Sequence, residues 1–147
     1  MSNIGNRKWE TGIELLKSKK FRAAIEHFNE ALQYFKNEKN DIGISSSLLG
    51  LGLANLSLNN YEESLNYFKR GLSIVREIDY KPGISSFLMN RGILHQKLKN
   101  YDNALKDLKS SLVILEDLEN ERAINNVKSL IKKCEKEKNI NRKLSDR

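Results

Sequence analysis

The sequence repeats itself every forty residues, and that period constrains the fold more than any other feature. Gly12, Gly52 and Gly92 stand one period apart, as do Phe21, Tyr61 and Tyr101, then Ala24, Ser64 and Ala104, then Ala31, Gly71 and Ser111. Phe28, Phe68 and Leu108 form another column, and Ile44, Ile84 and Ile124 a further one. The string Gly43, Ile44, Ser45, Ser46 returns as Gly83, Ile84, Ser85, Ser86. Such a chain is one supersecondary unit stacked on its own copies, because a single unit cannot bury its apolar face alone.

Within each unit the apolar residues recur at steps of three and four. Leu48, Leu51, Asn55 and Leu58 share one face, and Leu65, Phe68, Leu72 and Val75 another. That is the period of a helix. Polar pairs at Lys19-Lys20, Asn59-Asn60 and Lys99-Asn100 stand directly before the aromatic column and predict a tight turn between two helices. The chain is expected to turn again around Asn40-Asp41, Lys81-Pro82 and Asn120-Glu121, with Pro82 at a first helical position, where its missing N–H costs nothing. Asn60 with Glu63 reads as a capping box and Asn100 as a plain N-cap. Seven helices are predicted.

A glycine inside a helix costs about 1 kcal/mol against Ala, so three at one equivalent point call for a compensating contact. Close helix approach supplies it, with the glycine column expected to meet the small residues Ala24, Ser64 and Ala104.

The 147 residues suffice for one domain with a continuous core. One Pro and eight Gly leave no room for a flexible linker. Cys134 is alone, so no internal disulfide or paired-cysteine metal site can form, and a reducing compartment, the cytoplasm, is expected. Met1–Glu10 lacks the apolar core of a signal peptide, and no stretch is long and apolar enough to span a bilayer, so no membrane partner is expected. The net charge is +7, but Glu119–Arg147 holds nine Lys/Arg against five Asp/Glu and so carries +4 of it. The body is nearly balanced, which argues against a nucleic-acid partner.

Two antiparallel helices with Gly in the first, an aromatic opening the second, a small residue three later and a large apolar residue four beyond resemble the tetratricopeptide repeat. Gly52, Tyr61, Ser64, Phe68 and Gly71 carry the resemblance in the middle unit. Gly12, Phe21, Ala24, Phe28 and Ala31 carry it before, and Gly92, Tyr101, Ala104, Leu108 and Ser111 after. The period exceeds the family's common 34 or so, and Pro82 alone stands for its usual proline. The resemblance implies an all-α fold, a right-handed α-solenoid of three helix-turn-helix units (about 1–40, 41–80 and 81–120) with a capping helix at 121–138. All of 1–138 is expected to form one domain, followed by a frayed basic tail at 139–147. Lys128, Lys132, Lys133, Lys136 and Lys138 read as the solvating face of that cap.

The resemblance also implies a concave groove lined by the first helix of each pair. The matching positions are Asn6, Trp9, Glu10 and Ile13, then Ser46, Leu49, Gly50 and Leu53, then Ser86, Met89, Asn90, Ile93 and Lys97, with Asn126 and Lys133 at the far end. The basic clamp with which chaperone-binding members hold a peptide carboxylate is missing, since Trp9, Ile13, Gly50, Ser86 and Asn90 stand there. An apolar stripe of Trp9, Ile13, Leu49, Leu53, Met89 and Ile93 replaces it, edged by Ser46, Ser86 and Asn90, with Gly50 expected to leave room for a bulky ligand side chain. The function implied is a scaffold or adaptor that binds another protein through a peptide or amphipathic helix. Two other readings stay open: the stripe packs between helices or against a second copy of the chain, and the basic capping helix contacts an acidic partner or RNA.

No catalytic constellation assembles in the sequence, so an enzyme is not expected, nor any cofactor. Gly50 and Gly52 begin a dinucleotide fingerprint but lack its third glycine and preceding strand. His27 and His95 lie in different repeats without a second ligand at metal spacing. Cys134 sits among lysines that could lower its pKa, but it has no paired base.

Overall fold

The computed structural model describes residues 3–147. Among these, seven helices follow one another with no strand: α1 (Ile4–Lys17), α2 (Phe21–Asn37), α3 (Asp41–Ser57), α4 (Tyr61–Glu77), α5 (Lys81–Lys97), α6 (Tyr101–Asp117) and α7 (Glu121–Ser145). The class is all-α, and the succession of equal helix hairpins is that of an α-solenoid. Helices α2 to α6 are each 17 residues long. Every connection is a three-residue turn, so the forty-residue repeat of the sequence is two equal helix-plus-turn halves.

All six turns close the same way. The middle residue lies in the left-handed region: Lys19 (φ 61°), Lys39 (53°), Asn59 (62°), Asp79 (51°), Lys99 (62°) and Glu119 (54°). At the first turn Lys20 N–H donates to the Leu15 carbonyl (2.8 Å) and Lys19 N–H to Leu16 (3.1 Å), the double bond of a Schellman ending. None of the six is glycine, although a side chain there costs about 1–2 kcal/mol. Lys39→Gly is therefore expected to stabilise the protein by about 0.5–1 kcal/mol after glycine's larger chain entropy is subtracted. Thermal unfolding would show this as a rise of about 2–4 °C.

The side-chain caps differ from the sequence expectation. Asn60 and Asn100 make no capping hydrogen bond, and the Asn60 amide instead donates to Asn55 Oδ1 at 3.2 Å. The caps fall between pairs: Asn40 Oδ1 accepts from Gly43 N–H (2.9 Å) and Asn120 Oδ1 from Ala123 N–H (3.1 Å). The backbone explains the difference, since ψ is 93° at Asn40 and 84° at Asn120 but only 71° at Asn60 and 67° at Asn100. A cap needs the more extended conformation to bring its side chain over the first turn. Pro82 falls one residue inside α5, still in the first turn.

Residue contacts gather into two compact units, one ending at Gly83 and one running Ile84–Arg147, where the sequence suggested one continuous domain. In the first, Ala24, Phe28, Leu32, Leu48 and Leu51 form one core cluster. In the second, Ala104, Leu105, Leu108, Leu115, Ile124, Val127 and Cys134 do.

The glycines do mark close approach, to the large column as well as to the small one. A methyl group on Gly12 would lie 2.6 Å from the Phe28 ring, and one on Gly92 2.9 Å from Leu108 Cγ. Gly52 faces Phe68 in the same manner. The small column meets the glycines as well, as expected: the Ser64 hydroxyl donates to the Gly52 carbonyl at 2.8 Å, and a methyl group on Gly92 would lie 3.2 Å from the Ala104 carbonyl oxygen.

Helix α7 runs on past 138 to Ser145, so most of the segment expected to fray is helical. Composition suggested a tail because Asn139–Arg147 is polar, yet Asn141 is half-buried and Lys138 pairs with Asp102 on α6 at 2.6 Å.

Candidate functional site

The first helices of the pairs carry the expected stripe at equivalent positions: Trp9, Leu49 and Met89 in one column, and Ile13, Leu53 and Ile93 in the other. All six are half-buried, neither core nor fully open. Trp9 and Ile13 pack against the first unit's core, and Met89 against the second's. The chain therefore covers part of each side chain, and the remainder faces outward.

In the first unit the indole of Trp9 is fixed, its Nε1–H donating to the Ser46 carbonyl across to α3 at 3.2 Å. That bond ties α1 to α3. Asn6 is exposed and bonded locally to Asn3 (3.1 Å). Gly50 does not open room for a ligand. A methyl group there would sit 2.5 Å from Phe28 Cε1, so its missing side chain serves the packing of α2 on α3.

In the second unit Asn90 spends one amide hydrogen on the Ser86 carbonyl of its own helix (2.8 Å). Ile93 and Lys97 line a cavity of about 440 Å³ with Lys133 of α7, three groove positions brought together. Gln96 closes its edge by donating to Glu137 at 2.9 Å. Glu10 and Asn126 are exposed.

One polar cluster escaped the sequence reading. Arg91 donates twice to Asp107, Nε to Oδ2 at 2.7 Å and Nη2 to Oδ1 at 2.8 Å, joining α5 to α6. Asp107 is only 5% exposed. His95 Nε2 lies 3.8 Å from the same carboxylate, and its Nδ1 is buried without a hydrogen-bond partner. Burial holds the His95 pKa below its ordinary value; Asp107 pulls it up, and Arg91 pushes it down. The repeat columns held the signal: Arg91 replaces the position of buried Leu51, and Asp107 that of Tyr67. Two charges of opposite sign depart together in one repeat.

Cys134 is not activated. Burial pushes its thiol pKa up, and Glu137 and Glu135 push the same way. Among the described residues no group of His, Cys, Asp or Glu could hold a metal ion, and no helix is long and apolar enough to cross a membrane.

Equal antiparallel helix pairs, joined by identical turns and seated large side chain on glycine, define a helical-repeat protein. The tetratricopeptide repeat family model matches residues 13–77, and the model for anaphase-promoting complex subunit 5 matches 52–138. The tetratricopeptide match thus covers the first two helix pairs in large part, and the third pair repeats their pattern. No curated protein matches the sequence.

Solved structures share the fold. The Bacillus subtilis aspartyl phosphate phosphatase F superposes with a TM-score of 0.87 at 14% identity, over 99% of this chain and 39% of that one. Apo RapI gives 0.85 at 22% identity, over 98% and 54%. The tetratricopeptide domain of Arabidopsis FLU gives 0.73 at 21% identity, over 78% and 97%. The chain thus spans well under two thirds of the first two, and these likenesses establish fold alone.

Proposed function

We propose that this chain is a non-enzymatic interaction module that binds a peptide or amphipathic helix of another protein on the first helices of its pairs. The observation that carries the reading is the repeated half-buried stripe, with Trp9 held in place by Ser46. A pre-fixed aromatic loses little conformational entropy on binding, which favours it as an anchor. The tetratricopeptide match over residues 13–77 supports an adaptor role.

Full burial of such a side chain is worth about 1.5–3 kcal/mol, so covering the exposed remainder, roughly a third or less, yields at most about 1 kcal/mol each. Micromolar affinity needs about 8 kcal/mol net. Apolar contact alone falls short, and polar contacts must supply the rest.

The test uses random twelve-residue peptides displayed on phage and selected on the full chain. Leu53→Glu and Ile93→Glu are each expected to weaken the selected peptides at least tenfold, about 1.4 kcal/mol, with the helical circular-dichroism signal unchanged. Unaltered binding by both folded variants would refute the reading. Sedimentation at several concentrations distinguishes a stripe covered by a second copy.

A further inference from the structure

Three lysines converge on one apolar hollow in the second unit. The cavity of about 440 Å³ has Ile93, Tyr101 and Leu130 as its apolar part, with Lys97, Lys99 and Lys133 around them. The lysines come from the end of α5, the turn after it and the middle of α7, so the fold brings together charges far apart in sequence. Among the described residues none of the three forms an ion pair. The one carboxylate of the lining, Glu137, accepts a hydrogen bond from Gln96.

Among the described residues, ion pairs engage only a few of the 26 Lys and Arg, such as Lys8 with Glu30, Lys109 with Glu135, Lys138 with Asp102 and Arg91 with Asp107, so what sets Lys97, Lys99 and Lys133 apart is that they surround one apolar hollow. A second hollow of about 490 Å³ shares Lys99 and Tyr101 and adds Arg142, extending the basic surface along α7.

We infer that this hollow between α5 and α7 is a binding site for an acidic segment of a partner protein, taking an apolar side chain against Ile93, Tyr101 and Leu130 and an adjacent Asp or Glu at Lys97, Lys99 and Lys133. The inference rests on the interaction-module reading and names the partner's chemistry. Charge complementarity selects the occupant: three unpaired cations around an apolar surface repel a basic segment and leave a neutral one without a polar partner. The volume, within the range of small-ligand sites, admits one or two side chains, not a folded domain.

The experiment selects the same displayed twelve-residue peptides on three full-length baits: the wild-type chain, Lys97→Glu/Lys133→Glu, and Lys17→Glu/Lys20→Glu. The third changes net charge equally at exposed lysines of the first unit. Wild type and the third bait are expected to enrich Asp or Glu next to a large apolar residue. The Lys97→Glu/Lys133→Glu bait should keep the apolar preference, lose the acidic one and bind wild-type-selected peptides about tenfold more weakly. Circular dichroism confirms that all three baits are folded. Apolar enrichment without acidic residues on wild type, or acidic enrichment that survives the Lys97/Lys133 reversal or vanishes on the control bait, overturns the inference while leaving the interaction module standing. Absence of any enrichment on all three baits overturns both.

Discussion

Phe28→Ala is expected to lower stability by about 3–5 kcal/mol, among the largest losses any single substitution in this chain can produce. Phe28 is wholly buried, and the same ring edge, Cδ1, Cε1 and Cζ, meets both Gly12 of α1 and Gly50 of α3. One side chain thus holds three helices, with backbone against its ring at both glycines. Backbone cannot collapse into a vacated volume as flexible side chains can, which places the loss toward the top of the usual range. The coupling is testable. Gly50→Ala alone forces a methyl group into the ring and should cost about 1–3 kcal/mol. In the Phe28→Ala background the same methyl group enters empty space, and the helix preference for alanine, about 1 kcal/mol, makes it stabilising. Urea unfolding of the four proteins measures the reversal of sign. A Gly50→Ala effect of equal size in both backgrounds would contradict the packing.

The second large effect concerns the charges. Removing one member of a buried pair strands the other, at a cost of about 3–5 kcal/mol when burial is complete. Arg91 keeps 24% of its side chain exposed, so Asp107→Ala should cost less, about 2–3 kcal/mol. Replacing both, Arg91→Met with Asp107→Leu, removes desolvation and attraction together and should restore stability to within about 1 kcal/mol of wild type. If the double variant is as unstable as Asp107→Ala, the single loss came from packing and not from a stranded guanidinium.

The helix boundaries were legible because a helix-and-turn half-repeat writes its period into one line of text. The polar pairs before Phe21, Tyr61 and Tyr101 marked turns where the structure has them. What could not be read depends on geometry across helices. Gly50 looked like space on the ligand side because a helix position can be counted, whereas the placing of Phe28 against it depends on how α2 packs on α3. Asn60 met the pattern of a capping box but lacks the backbone angle for it. The end of α7 looked like a tail from its composition, yet Lys138 finds Asp102, thirty-six positions earlier in the chain. The candidate groove was legible as columns, but its division into a pinned tryptophan and a lysine-lined hollow was not.

The indole N–H of Trp9 gives the most direct test of the central claim, that a protein segment binds the first helices of the pairs. In a two-dimensional nitrogen–proton spectrum of the full chain it resonates apart from the backbone amides, and Trp9 is the sole tryptophan. Titration with a peptide selected on the wild-type chain should shift the Trp9 indole signal together with the amides of Leu49, Leu53 and Ile93, and leave α2, α4 and the outer residues of α6 unmoved. Shifts confined to α2, α4 and α6, with Trp9 unchanged at saturation, would contradict the account.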